Sequence, residues 1–194
     1  ALPAAREALV ADLKLRGLVR ERVMACSVRL LDIGMFRVGG EDYAEENDSY
    51  GLATLEKRHV RVKGGGISFD YVAKGGIKRS QLVEDEMVLP TVLALKRRRG
   101  KPRDPLLAYR AGRSEWRDVT SAEINQWLKD LIGEEYSAKD FRTWNGTVLA
   151  AAHLAQRADA PDRSKAVTAA IKEVADTLGN TPAVCRASYV DPRV

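Results

Sequence analysis

Two periodicities alternate along the chain. Up to Val38, apolar residues recur at helical spacing. "AAREALVADLK" carries one such stripe, and "LVRERVMACSVRLLDIGMFRV" continues it through Val23, Val28, Leu31 and Met35. Gly39 and Gly40 are the expected stop, and the acidic stretch "EDYAEENDS" reads as a loop. The period then drops to two. Ile67, Phe69 and Tyr71 alternate with polar residues, with glycines at 64–66 and at Gly75-Gly76 on either side. That pattern predicts three short antiparallel strands joined by two tight turns, with Lys74 at the second turn. Helical spacing returns in "EDEMVLPTVLALKRRR", where Pro90 either occupies a first turn or makes a kink. "KRRRGKPRDP" reads as a basic connector.

The last third is punctuated by caps. Thr120 with Glu123, and Ser137 with Asp140, have the spacing of capping boxes opening two helices. Phe141, Trp144, Val148 and Ala152 share one face of the second of these. Val167, Ile171, Val174 and Leu178 form a stripe on the next. Gly179 ends it, Thr181 caps a short last helix, and Pro182 takes that helix's first position, placing Tyr189 on it. The expected fold class is α+β, mainly α, with a small three-stranded antiparallel sheet beside a helical core.

Composition narrows the function classes. The 194 residues suit one domain, residues 1–194, with a β-hairpin subdomain at about 55–83. The 32 Lys and Arg against 27 Asp and Glu leave +5, which fits either a nucleic-acid protein or a basic enzyme. Cys26 and Cys185 have no motif spacing and read as reduced thiols. The two histidines, His59 and His153, are too few for the usual zinc sites. No metal and no cofactor is expected. No apolar run has membrane length and no signal peptide is visible. The expectation is a cytoplasmic monomer without a membrane partner. The opening "ALPAAREALVADLK" reads as helix from the start, like a domain cut from something longer.

Several residues carry potential chemistry, each with an ordinary alternative. Arg37, in "GMFRVGG", could simply complement a helix C-terminus. Lys74 could be a solvated turn lysine, and Asn180 a turn residue. Tyr189 could be a packing aromatic. Arg142, in "KDFRTW", is harder to dismiss: a cation in a first turn opposes the helix dipole, unless it is a surface charge paired with Asp140.

In order along the chain, "MFRVGGEDYAEENDSYGLATLEKRHV", "DYVAKGGIK", "KDFRTWNGTVLAA" and "LGNTPAVCRASYV" resemble the catalytic domain of type IB DNA topoisomerases, in particular the compact poxvirus-like enzymes of bacteria. The resemblance implies the DNA breaking-rejoining fold shared with tyrosine recombinases. It also implies an active site of Arg37, Lys74, Arg142, Asn180 and Tyr189 acting on duplex DNA, with Lys139, Lys78 and Arg79 as further DNA contacts. Many family members have His where this chain has Asn180, which donates a neutral hydrogen bond but carries no charge. The family's N-terminal clamp domain has no counterpart here, so a catalytic fragment is expected, nucleoid-associated if bacterial. In the implied reaction Tyr189 attacks a phosphodiester, the two arginines stabilise the nonbridging oxygens, and Lys74 protonates the leaving 5′ oxygen. Two rivals remain. A tyrosine recombinase would typically have His at the position of Lys139. A non-catalytic DNA-binding module would have no use for Tyr189.

Overall fold

A computed structural model describes residues 2–113 and 115–194. It divides into an N-terminal unit ending at Ala138 and a C-terminal unit, Lys139–Val194.

The N-terminal unit opens with α1 (Leu2–Leu13) and α2 (Arg20–Gly34). Leu9, Leu13, Met24, Leu30 and Leu31 are buried in its core. Arg6 on α1 clamps the buried Asp32 on α2 through two hydrogen bonds of 2.8 and 2.9 Å. The periodicity suggests a helix running to a glycine stop, but α2 ends at Gly34, and Met35 turns the chain in the left-handed conformation at φ 51°. That conformation costs a non-glycine residue about 1–2 kcal/mol. It turns Phe36 inward to 1% exposure, edge-on to Phe69 at 4.9 Å between ring centres, and burial of a phenyl ring offsets the strain. The acidic stretch also departs from expectation: Glu41–Asn47 is a helix, α3. Glu41 and Asp42 favour its positive N-terminal end. The Glu41 carboxylate also accepts hydrogen bonds from the Ser121 backbone N–H (2.7 Å) and hydroxyl (2.8 Å), a tie between residues 80 apart.

The three-stranded sheet is as anticipated: β1 (Val60–Lys63), β2 (Gly66–Ala73) and β3 (Ile77–Val83), antiparallel in the order β1-β2-β3. Ile67, Phe69, Tyr71 and Ala73 are the buried face of β2. Ala73 pairs with Ile77, so residues 74–76 form the tip, where Gly75 and Gly76 supply positive φ. Helix α4 (Leu89–Arg97) has Pro90 in its first turn. Beyond the basic connector lies a pair of short strands not anticipated from the pattern, β4 (Ala108–Arg110) and β5 (Trp116–Asp118). Thr120 and Glu123 form the capping box of α5 (Ser121–Ile132), with bonds of 3.1 and 3.2 Å.

In the C-terminal unit, α6 (Ala138–Ala155), α7 (Arg163–Leu178) and α8 (Pro182–Ser188) follow the expected order. The expected apolar face of α6 is only partly buried. Phe141 is buried, but Trp144 and Val148 are 53% and 46% exposed and Ala152 is exposed. A different row at i, i+4, i+8 is buried instead: Arg142, Gly146 and Ala150. Of the α7 stripe, Ile171, Val174 and Leu178 are buried and Val167 is half-buried. No helix among the described residues is long and apolar enough to cross a membrane.

Candidate active site

In the N-terminal unit, the site residues hang on one short segment. Leu52 N–H donates to the Arg37 carbonyl at 2.9 Å, and Ala53 N–H to the Val38 carbonyl at 2.7 Å. The neighbouring Tyr50 N–H donates to the Val72 carbonyl of β2 at 2.7 Å. Residues 50–53 thus fix both the backbone of Arg37 and the strand that leads to Lys74. Gly39 and Gly51 make this possible: a Cβ built on Gly51 would lie 2.4 Å from the Gly39 Cα and 2.8 Å from the Arg37 carbonyl oxygen. Arg37 is half-buried and lies three residues beyond the end of α2, not in its last turn.

Lys74 sits at the exposed tip of the β2–β3 hairpin. Its ammonium lies 4.8 Å from the centre of the Tyr43 ring on α3, a cation–π contact. Sequence alone does not single out Tyr43, because its segment reads as a loop. Lys78 is exposed on β3, and Arg79, also on β3, is half-buried and donates to Gln81 Oε1 at 3.1 Å.

Below this segment, Tyr50 and His59 pack with ring centres 4.4 Å apart. His59 Nδ1 accepts the Glu56 N–H at 3.1 Å. Burial pulls the His59 pKa below its usual value, with Arg58 acting in the same direction and Glu56 and Asp48 opposing. The Tyr50 hydroxyl donates to Asp48 at 2.6 Å and accepts from Arg58 at 3.2 Å.

The C-terminal unit carries the other three residues. Helix α7 ends in a Schellman motif: Gly179, at φ 64°, donates its N–H to Asp176, and the Asn180 N–H reaches back to Ala175 at 2.9 Å. Asn180 is therefore the second residue past α7. Thr181 then caps α8 through its Oγ1, 3.3 Å from the Val184 N–H. Tyr189 is the residue just past α8, with its N–H still bonded to Cys185 at 2.9 Å. It ends the helix instead of lying within it.

Arg142 is 3% exposed. One of its terminal nitrogens donates to the Leu178 carbonyl at 2.9 Å. Leu178 is the last residue of α7, so the negative end of one helix offsets a cation placed at the positive end of another. Its guanidinium carbon lies 4.9 Å from the centre of the Tyr189 ring, and the Lys139 ammonium lies 6.0 Å from it. On α8, burial pushes the Cys185 thiol pKa up, while the charge of Arg142 pulls the other way.

Gly146 admits the backbone of Tyr189 against α6. A Cβ on Gly146 would stand 2.5 Å from the Tyr189 carbonyl oxygen and 3.2 Å from Leu178 Cδ1. The neighbouring Thr147 Oγ1 accepts the Asp191 N–H at 3.1 Å, holding the chain on the far side of Tyr189. Neither Gly146 nor Thr147 stands out in the sequence, although "FRTWNGT" puts a helix-weakening glycine in the middle of α6, a signal that the position has another use. Among the described residues, no group of three or more His, Cys, Asp or Glu could hold a metal ion.

Comparison with known proteins gives a consistent picture. A family model described as the catalytic core of eukaryotic DNA topoisomerase I matches residues 1–191. A DNA topoisomerase 1B from Acanthamoeba polyphaga mimivirus is 27% identical over 97% of this chain and 58% of its own length. DNA topoisomerase 1 of Candida albicans is 30% identical over 66% of this chain, and that of Schizosaccharomyces pombe 28% over 69%, in each case covering 16% of the relative. The chain thus spans less than two thirds of the length of these relatives. With a family model matched from residue 1 to residue 191, the chain belongs to the type IB DNA topoisomerase family, over its catalytic core.

Proposed function

We propose that this chain cuts and rejoins one strand of duplex DNA through Tyr189, in the breaking-rejoining fold of its family. The observation that carries the reading is the buried Arg142 guanidinium held 4.9 Å from the centre of the Tyr189 ring. A fixed guanidinium beside a phenol suits phosphoryl transfer. The phenolic oxygen attacks phosphorus, negative charge builds on the nonbridging oxygens, and donors already in place stabilise that charge without reorganising. The P–O5′ bond breaks as the Tyr–O–P bond forms, leaving a 3′-phosphotyrosyl linkage and a free 5′ hydroxyl.

The other roles follow the family likeness residue by residue. Arg37 donates to nonbridging oxygens with Arg142. Lys74, on an exposed tip, protonates the departing 5′ oxygen. Asn180 offers an uncharged donor to a phosphate oxygen. Lys139, Lys78 and Arg79 contact backbone phosphates. One phosphate ester replaces another, so the strand is resealed by the reverse attack without ATP. While it is open, rotation of the free end relaxes supercoils.

Denaturing gels test the reading. Wild type incubated with a nicked or short duplex should yield a covalent protein–DNA band, and Tyr189→Phe should bind the same duplex and yield none. A band that survives in the Phe variant would sink the assignment of Tyr189. Plasmid relaxation without exchange of strands between partners separates this activity from recombination.

A further inference from the structure

The proposed reaction needs the Tyr189 phenol in one place, and the helix leading to it is a poor anchor. Helix α8 has seven residues, too few to hold its shape alone in water. Of those seven, Cys185 alone is buried. Tyr189 lies past the last of them, and its N–H bonds back to the Cys185 carbonyl at 2.9 Å. A fixed nucleophile calls for a second anchor on its far side, where the chain reads Asp191-Pro192-Arg193.

Those three residues build a turn. Pro192 fixes its own φ near about −65° and restricts Asp191 before it to extended backbone. The Asp191 carbonyl accepts the Val194 N–H at 3.0 Å, closing a four-residue turn with Asp first and Pro second, the residues favoured there. The Asp191 carboxylate closes it again. Its Oδ1 accepts the Arg193 backbone N–H at 2.9 Å, and the Arg193 guanidinium spans both oxygens, Nε to Oδ1 at 2.9 Å and Nη2 to Oδ2 at 2.7 Å. The turn hangs on α6: the Asp191 N–H donates to Thr147 Oγ1 at 3.1 Å, and the Tyr189 carbonyl lies 3.5 Å from the same hydroxyl. Tyr189 is thus held between the Cys185 carbonyl before it and Thr147 after it.

The Arg193 side chain is exposed, and an exposed ion pair adds little to the stability of a fold. Its effect lies in geometry: two N–H groups aimed at two carboxylate oxygens fix one shape for the turn. The bonds from Arg193, side chain first and backbone second, hold the Asp191 carboxyl at a pKa of about 2, so it stays ionised near neutral pH. We propose that Asp191 is a positioning residue for Tyr189: with Arg193 it closes the turn that keeps the Asp191 N–H on Thr147, and so holds the phenol beside Arg142. The consequence for catalysis rests on the proposed function, whereas the placing of the ring can be read without it.

The test compares Asp191→Ala, Arg193→Ala, the two together, and the milder Asp191→Asn, which keeps an oxygen for the Arg193 N–H. Thermal melting should be nearly unchanged, because the pair is exposed. The single-turnover rate of covalent complex formation at saturating duplex should fall by about 10–10² in either Ala variant, up to the cost of a displacement of about 1 Å at a reacting group. The double variant should be no slower than the single ones, because either change opens the same turn. Asp191→Asn should fall between wild type and Asp191→Ala. Duplex affinity, measured with Tyr189→Phe added, should not change. A 5′-bridging sulfur should not restore the rate, since the defect lies at the nucleophile and not at the leaving group. The second readout is the fluorine resonance of 3-fluorotyrosine in place of Tyr189. In Asp191→Ala it should move from its folded position towards that of a free peptide. Wild-type rates in both Ala variants would overturn the proposal, as would an unmoved resonance, an additive double variant or rescue by sulfur. A loss confined to duplex affinity would overturn it too, and would make Arg193 a DNA contact. The two readings fail separately. With no covalent product even from wild type, Tyr189 loses its part in the chemistry, while a displaced resonance keeps the turn as the anchor of its ring. With product formed and both rate and resonance unchanged in the variants, the anchor falls and the chemistry stands.

Discussion

The guanidinium of Arg142 and the ring of Tyr189 meet at 4.9 Å across 47 residues of sequence. The contact is built from both ends. Arg142 is held by the terminal carbonyl of α7, and Tyr189 is brought in by the cap of α8 and the gap at Gly146. Arg142→Lys keeps the charge but cannot donate as a planar fork to a phosphate while also holding the Leu178 carbonyl. Single-turnover cleavage should fall by about 10²–10³, the usual cost of removing one transition-state donor. A Lys variant as fast as wild type would mean that charge alone suffices.

Gly146→Ala sets two effects against each other. In an ordinary helix the change stabilises by about 1 kcal/mol. Here the new Cβ would fall 2.5 Å from the Tyr189 carbonyl oxygen, a backbone atom that cannot swing aside as a side-chain tip would. The clash should win. The variant should melt at a lower temperature, and a displacement of about 1 Å at Tyr189 should slow covalent complex formation about 10²-fold. A higher melting temperature with normal cleavage would show that α8 yields without consequence.

Lys74→Ala should cleave ordinary DNA slower by roughly 10²–10⁴, the range for removal of a general acid. A 5′-bridging sulfur leaves without needing a proton, so the same variant should cleave that substrate at close to the wild-type rate. Arg142→Ala should gain less, because sulfur leaves the nonbridging oxygens unchanged. Rescue of Lys78→Ala in place of Lys74→Ala would move the assignment to Lys78, which lies back in β3.

His59 should make the N-terminal unit acid-sensitive. Its folded pKa lies below the unfolded value of 6.5, so as pH falls through 6.5 the unfolded chain takes up the proton first. The contribution is complete above that pH and is lost as pH falls from there towards the depressed folded pKa. Urea midpoints at about pH 7.5 and about pH 5.5 should differ more for wild type than for His59→Gln, which has no titrating ring. Equal differences would assign the acid sensitivity to other groups.

Local grammar was legible in the sequence. The alternation of Ile67, Phe69 and Tyr71 marked β2, Gly75-Gly76 put Lys74 at a hairpin tip, and Thr120 with Glu123 marked the start of α5. Gly179 and the Thr181-Pro182 pair ended one helix and opened the next, which put Asn180 between α7 and α8, whereas Tyr189, read as lying on the last helix, is the residue just past it. Each of these signals acts between residues only a few positions apart, so no tertiary partner is needed to read it.

Only the tertiary structure decided the rest. The acidic stretch became α3, with Glu41 holding the start of α5, 80 residues away. Met35 took a left-handed turn, and burial of Phe36 against the sheet offsets its strain. The face of α6 that is buried is the row Arg142, Gly146, Ala150, and not the more apolar row containing Trp144 and Val148. Periodicity shows that a helix has an apolar side. Which side it packs, and whether a buried arginine is tolerated there, depends on what the chain brings to meet it: here a helix-terminal carbonyl for the guanidinium and the backbone of Tyr189 for the space at Gly146.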